Sequence, residues 1–338
     1  MKQFKSLKHF CIRNIFSQKL GIIDFNNRLF QRLTSMKYLK IIDLLKFENL
    51  QTLTFLNDLH IDCQALFRGP MDRNFFHAFH MYYLLSNINL VHMTRLTSLN
   101  YNVPLFENIS SLKHVKNLTC IFHIFPNELF QFENFSKLEN LCITFHQFSK
   151  IKNIVLNYLN LKTLTLKCIH SDDFPIVNVY KLTKLRYLHT NKINIFNNIN
   201  HLWNIRTCIL INPNKDYQEN KDLKTPVFRF QRLIHLNHLH VENAFEIIIH
   251  NMPKLTKLKV NNVEYVILNE SVKLLEYVSF KGCDIQGMMY QKNIKYVKAR
   301  KSGHRILRYS NKEYIQKMSS IGKFKYVNYD ILKKFMDQ

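Results

Sequence analysis

Apolar residues recur along this chain at a fixed beat, L-x-x-L-x-x-L-x-φ, where φ is apolar. The beat is plainest between Leu233 and Val260, where the phrase occurs twice: Leu233, Leu236, Leu239 and Val241 are answered by Met252, Leu255, Leu258 and Val260, about 19 residues on. The last three positions alternate in, out, in, as a short strand with one buried face requires. The earlier leucines turn the chain into that strand. One such repeat cannot bury its own apolar face, so it needs neighbours stacked upon it.

The same beat runs through nearly the whole sequence. Good matches are Leu33-Met36-Leu39-Ile41, Leu53-Leu56-Leu59-Ile61 and Met93-Leu96-Leu99-Tyr101. They continue with Leu112-Val115-Leu118-Cys120, Phe135-Leu138-Leu141-Ile143 and Tyr158-Leu161-Leu164-Leu166. Leu182-Leu185-Leu188-Thr190, Leu202-Ile205-Cys208-Leu210 and Val272-Leu275-Val278-Phe280 follow, with Ile294-Val297-Ala299 a weaker copy. Phe4-Leu7-Phe10-Ile12 and Met318-Ile321-Phe324-Val327 read as terminal copies, and Phe76-Phe79-Met81 as a degenerate one. About 13 or 14 repeats result, mostly about 19 to 24 residues apart. β-branched residues after the anchors and the short period favour strands over a helical solenoid.

In this spacing the chain resembles the leucine-rich repeat family. The resemblance implies an α/β solenoid: a horseshoe with a parallel concave sheet and an irregular or short-helical convex side, forming one array over residues 1–338. The family's Asn or Cys after the anchor is matched loosely by Cys63, Cys168, Asn212, Asn243, Asn262 and Cys283, while other repeats carry Pro, His or Leu there, so that ladder reads as broken. Many intracellular members are substrate receptors of ubiquitin ligases, docked through an F-box. No L-P-x-E segment of that kind precedes the first repeat here, so such a role calls for an upstream segment or another docking surface.

Between the strands, residues 15–32 and Ile151–Leu156 read as short helices, and His170–Val177, with Asp172, Asp173 and Pro175, as a turn. The polar run 212–226, which ends at Pro226, reads as a solvent-exposed insertion. A second, basic insertion spans about residues 300–320.

Composition adds one strong fact. The formal charge is +24, because Lys and Arg number 48 against 24 Asp and Glu. Compositional drift explains abundant Lys but not scarce acids. A basic surface of this size favours acidic partners. The apolar fraction of 46% is ample for a core. Seven scattered cysteines with no C-x-x-C indicate reduced thiols, hence a cytoplasmic or nuclear protein. Neither a signal-peptide h-region nor a window apolar enough for a membrane span is visible.

Catalytic signatures are missing. No G-x-x-x-x-G-K-[ST], G-x-G-x-x-G, G-x-S-x-G or H-E-x-x-H occurs, and six glycines leave little room for a phosphate cradle. His235, His238 and His240, with Glu242, form the most metal-like group, yet they occupy the variable outward positions of a repeat. His77 and His80 read as core or surface histidines, and Asp172-Asp173 as a turn-forming pair. The expectation is no enzyme, no cofactor and no metal.

What remains is the outward face of the strands. Positions one before, one after and three after each anchor form columns across successive repeats. Toward the C-terminal end these columns bring Lys257, Lys259, Tyr277, Lys281, Tyr296, Lys298 and Arg300 into one patch. Tyrosine supplies rigid contact area, and Lys and Arg supply attraction and steering. The expected function is an interaction scaffold or adaptor with an acidic protein partner. Nucleic acid or anionic lipid is the alternative, and a ubiquitin-ligase receptor a second one. Exposed strands also favour Tyr and tolerate Lys without any ligand.

Overall fold

The computed structural model describes residues 7–13, 33, 35–42, 52–62, 93–102, 113–125, 135–148, 153–168, 176–191, 196–197, 199–212, 227–269, 271–286, 293, 296–300 and 324–325. These fall into two compact halves, Met1–Asp173 and Phe174–Gln338.

The N-terminal half holds β1 (His9–Arg13), β2 (Tyr38–Ile42), β3 (Asp58–Asp62), β4 (Ser98–Asn102), β5 (Asn117–Phe125), β6 (Asn140–Phe148), β7 (Asn153–Val155) and β8 (Thr163–Cys168). All of them except β7 form a parallel run, each strand pairing with the next, with anchor beside anchor: Leu39↔Leu59, Leu59↔Leu99, Leu99↔Leu118, Leu118↔Leu141 and Leu141↔Leu164. The C-terminal half holds β9 (Ile176–Asn178), β10 (Tyr187–Thr190), β11 (Phe196–Asn197), β12 (Thr207–Ile211), β13 (Val227–Gln231), β14 (His238–His250), β15 (Lys257–Leu268), β16 (Tyr277–Lys281), β17 (Asp284–Gln286), β18 (Tyr296–Arg300) and β19 (Phe324–Lys325). Here β10, β12, β14, β15, β16, β18 and β19 pair in parallel in that order, so Leu188, Cys208, Leu239, Leu258, Val278 and Val297 stand side by side.

The beat explains the coil. Leu233 and Leu236 bracket a tight turn, closed by the Leu236 amide donating to the Leu233 carbonyl at 3.0 Å. Leu239 and Val241 then point inward from the strand, and all four side chains are fully buried. Turns of the same form close at Leu53–Leu56, Met93–Leu96, Phe135–Leu138, Tyr158–Leu161, Leu182–Leu185, Leu202–Ile205 and Met252–Leu255. Each buried leucine contributes roughly 1.5–3 kcal/mol, and only against the coils on either side of it. Successive coils are tied at the strand start: the Arg206 carbonyl accepts from both Asn237 and His238 amides, and the Asn237 carbonyl from both Thr256 and Lys257.

The linking side departs from expectation. Among the described residues its helical content is 3-10 alone, the turn Ile199–His201 and Thr52. Ile151–Leu156, read as a short helix, carries β7 instead, and His170–Val177, read as a turn, runs into β9, which pairs with β11. In β14 and β15 the strand does not stop at the family's Asn position but turns a corner and continues. The residues beyond are rich in β-branched and aromatic types, Phe245 to Ile249 and Tyr265 to Leu268, and these suit a pleated surface better than a helix. Past the corner β14 pairs with β13 on one side and β15 on the other, and β15 with β17. Ile247, Ile249, Val263, Val266 and Leu268 fill the interior from this second limb.

The corner residues are Asn243 (φ 57°), Asn262 (φ 51°) and Gly282 (φ 65°), all in the left-handed region. Asparagine and glycine tolerate this backbone where other residues do not. They stack in register: Asn262 Nδ2 donates to Asn243 Oδ1 at 3.0 Å, and Asn243 Nδ2 donates to the Asn212 carbonyl. A Cβ on Gly282 would sit 3.4 Å from Asn262 Oδ1. Side-chain bonds thus link Asn212, Asn243 and Asn262, and in the next coil Gly282 takes the left-handed backbone while Cys283, buried beside it, donates through Sγ to the Val260 carbonyl at 3.5 Å. Asn212, read as the start of an exposed insertion, is only 2% exposed and belongs to this stack. Residues 213–226 and 301–320, the 15–32 segment, Phe76-Phe79-Met81, Cys63, His77, His80, Asp172 and Asp173 lie outside the described residues.

Candidate functional site

The outward faces of β10 to β18 carry the residues singled out from sequence. Register places Tyr187, Thr207, His238, Lys257, Tyr277 and Tyr296 in one column. The next column is His189, Ile209, His240, Lys259, Ser279 and Lys298, and the third, beginning at β12, is Ile211, Glu242, Asn261, Lys281 and Arg300. Neighbouring strands lie about 4.8 Å apart, so members of a column follow one another at that spacing. Lys257 and Lys281 are exposed, and Lys259 and Tyr277 partly so. Tyr296, Lys298 and Arg300 lie in β18 directly beside Tyr277, Ser279 and Lys281, and their side chains are outside the described set. The backbone thus assembles all seven residues on three consecutive strands.

At the centre lies an arrangement that sequence reasoning missed. Glu242 Oε1 accepts from His240 Nε2 at 2.6 Å, from Asn261 Nδ2 and from Lys259 Nζ at 3.3 Å. Partial burial opposes the carboxylate charge, but the hydrogen bonds from His240 and Asn261 and the nearby Lys259 outweigh it, and the Glu242 carboxyl is held below its ordinary range. Burial also presses the His238 and His240 imidazoles down, helped by Lys259 in both cases and by Lys257 for His238, while Glu242 pulls His240 back only in part. Both rings are neutral at pH 7, and His240 donates to Glu242 as the Nε2–H tautomer. The signal was available: an offset of 19 residues already puts Glu242 next to Asn261 and diagonal to Lys259.

Two consequences follow for the patch. Lys259 is partly neutralised by Glu242, whereas Lys257 and Lys281 have no ion-pair partner among the described residues. The face also changes character strand by strand, from half-buried Ile209 and Ile211 on β12, through the Glu242 network on β14 and β15, to cations on β15 and β16. His235 does not join the other histidines; its ring faces Lys254 Nζ at 3.2 Å. Among the described residues no three His, Cys, Asp or Glu side chains gather as a metal ion requires. Burial pushes the Cys120 and Cys208 thiols up, which keeps them protonated and unreactive.

The buried imidazoles set a pH dependence. A histidine whose folded-state pKa is depressed leaves the unfolded chain with more bound protons below about pH 6.5, so stability is complete above that value and falls as pH drops through it. Urea denaturation is expected to give a lower midpoint at pH 5.5 than at pH 7.5, and a smaller drop in the His238→Asn/His240→Asn double variant. An equal drop in both proteins would show that these rings do not contribute.

No family model matches the sequence, and no curated protein matches it. Among solved structures, the chain is similar to a leucine-rich repeat protein of Leptospira interrogans at 14% identity and TM-score 0.49, over 96% of this chain and 90% of that one. It is similar to an internalin (InlF) from Listeria monocytogenes at 14% identity and TM-score 0.44, over 80% and 69%. A third likeness is to the functional domain of InlJ from Listeria monocytogenes, which includes a cysteine ladder, at 13% identity and TM-score 0.31, over 78% and 67%. Among the described residues no helix is long and apolar enough to cross a membrane. With one L-x-x-L-x-x-L-x-φ repeat yielding one parallel strand in anchor-to-anchor register, the chain folds as a leucine-rich repeat solenoid.

Proposed function

We propose that this protein is a non-enzymatic interaction scaffold that holds an acidic protein segment on the outward face of β12 to β18. The carrying observation is the juxtaposition of two chemistries in one register. Ile209 and Ile211 offer apolar contact, and two and three strands away Lys257 and Lys281 offer charge with no ion-pair partner among the described residues. An extended segment with an apolar residue beside carboxylates matches that order. Tyr277 adds aromatic contact of the kind in which binding energy concentrates. Nucleic acid is the weaker reading, because the ionised Glu242 sits in the middle of the face and repels a phosphate chain. A substrate-receptor role in a ubiquitin ligase is a special case of the same face. Cys11, Cys120, Cys142 and Cys208 are free thiols, which fits a reducing compartment such as cytoplasm or nucleus. We extend the array to one run of about 13 or 14 coils over residues 1–338, with insertions near 212–226 and 300–320.

The test is a pull-down from nuclease-treated native extract at ~50 and ~200 mM salt, comparing the natural chain with a Lys257→Glu/Lys259→Glu/Lys298→Glu/Arg300→Glu variant. The natural chain is expected to retain a protein partner at both salts. The variant is expected to lose it by a factor of ten or more and to stay folded, with a somewhat lower melting midpoint because Lys259→Glu sets a second carboxylate beside Glu242. Unchanged retention by the variant removes the face from consideration, and retention that needs intact nucleic acid transfers the function to the alternative.

A further inference from the structure

A second surface lies on the turns that lead into β12, β14, β15 and β16, independent of the outward strand face. In register these turns stack coil upon coil, since the strands they feed pair at Thr207↔His238↔Lys257↔Tyr277. Each turn tip carries one apolar side chain: Trp203, Ile234 and Pro253 stand in one register position, and Leu274 stands one residue on, in the next turn beside Lys254. Trp203 is 63% exposed, Ile234 43% and Leu274 47%. The companion tip residues are Asn204, His235, Lys254 and Lys273, so none of the eight is acidic. Glu276, two residues beyond Leu274, is the nearest carboxylate in these leading segments.

Such a row is unusual. Large apolar groups on a soluble protein are normally covered or scattered, and a contiguous exposed run marks an interaction site. In the N-terminal half Phe55, at the turn position that Leu274 holds here, is capped by the Arg95 guanidinium 4.3 Å above its ring. No described residue caps Trp203. We propose that this row of turn tips docks the protein on an anionic lipid surface. The apolar tips are single side chains spread over two neighbouring positions and flanked by Lys254 and Lys273, with strand spacing of about 4.8 Å between turns, and they outline no groove. A partner helix needs a groove for its apolar face, whereas a lipid interface accepts isolated tips. The indole ring is suited to headgroup depth, and Lys254 and Lys273 beside it attract anionic headgroups.

Trp203 is the only tryptophan in the chain, so its emission reports this edge and no other. The full chain is mixed with phosphatidylcholine vesicles with and without phosphatidylserine, and sedimentation and tryptophan emission are read together. Binding and a blue shift are expected only with phosphatidylserine. Both are expected to survive Lys257→Glu/Lys281→Glu, which alters the strand face alone. Ile234→Asp/Leu274→Asp is expected to abolish the shift, and Lys254→Glu/Lys273→Glu to weaken binding by roughly tenfold. The proposal is overturned by absence of binding, or by vesicle binding with unshifted emission, which would place the contact elsewhere. A shift with an acidic amphipathic peptide but not with vesicles also overturns it, in favour of a protein partner.

Discussion

Leu258→Ala is expected to lower the unfolding free energy by about 2–5 kcal/mol, the range for emptying a buried leucine site. Leu258 is fully buried between Leu239 on β14 and Val278 on β16, which are themselves buried. The neighbours cannot close the gap, because each is held by its own strand pairing at fixed spacing. The measurement is equilibrium denaturation of the natural and substituted chains. A coil array responds in a particular way: contacts are made only with adjacent coils, so the loss weakens β14, β15 and β16 first and leaves distant coils protected. Hydrogen exchange is expected to show that gradient. A stability change below 1 kcal/mol would mean that Leu258 is not packed as described.

The second large effect is at the corner. Asn243→Ala is expected to cost about 2–3 kcal/mol, the sum of forcing alanine into the left-handed region and losing two side-chain hydrogen bonds. The bonds are those to the Asn212 carbonyl and from Asn262 Nδ2. Asn243→Gly separates the two contributions, since glycine accepts φ 57° freely and loses only the bonds. The expected order of stability is natural chain, then Gly, then Ala, read from urea midpoints. If Ala and Gly variants were equally stable, backbone conformation would not be what holds Asn243 in that role.

These two sites differ in how far the sequence announced them. Leu258 and the other anchors were legible because burial at a fixed beat leaves a mark that no other constraint imitates. The alignment of Lys257 with Tyr277 and of Lys259 with Ser279 was legible for the same reason: once the anchors are aligned, the residues between them align too. The corner was harder. Asn243 and Asn262 were visible, but Gly282 broke the letter pattern while satisfying the same backbone need. The second strand limb after the corner was read as irregular or helical linker because its apolar residues do not follow the leucine beat. The Glu242 network escaped notice because each of its members lies on a variable column, where residue type alone does not reveal a partner on the next strand.

The doubly accepting carbonyls at the strand starts bear on how such a chain changes length. Arg206 and Asn237 each receive the next coil in the same way, and from β14 to β15 the coil repeats after 19 residues with every column preserved. Excising or duplicating one such segment leaves inward residues inward and joins two surfaces already matched to each other. Growth and loss by whole coils are therefore open to this chain, whereas an insertion of any other length must be shed into a loop.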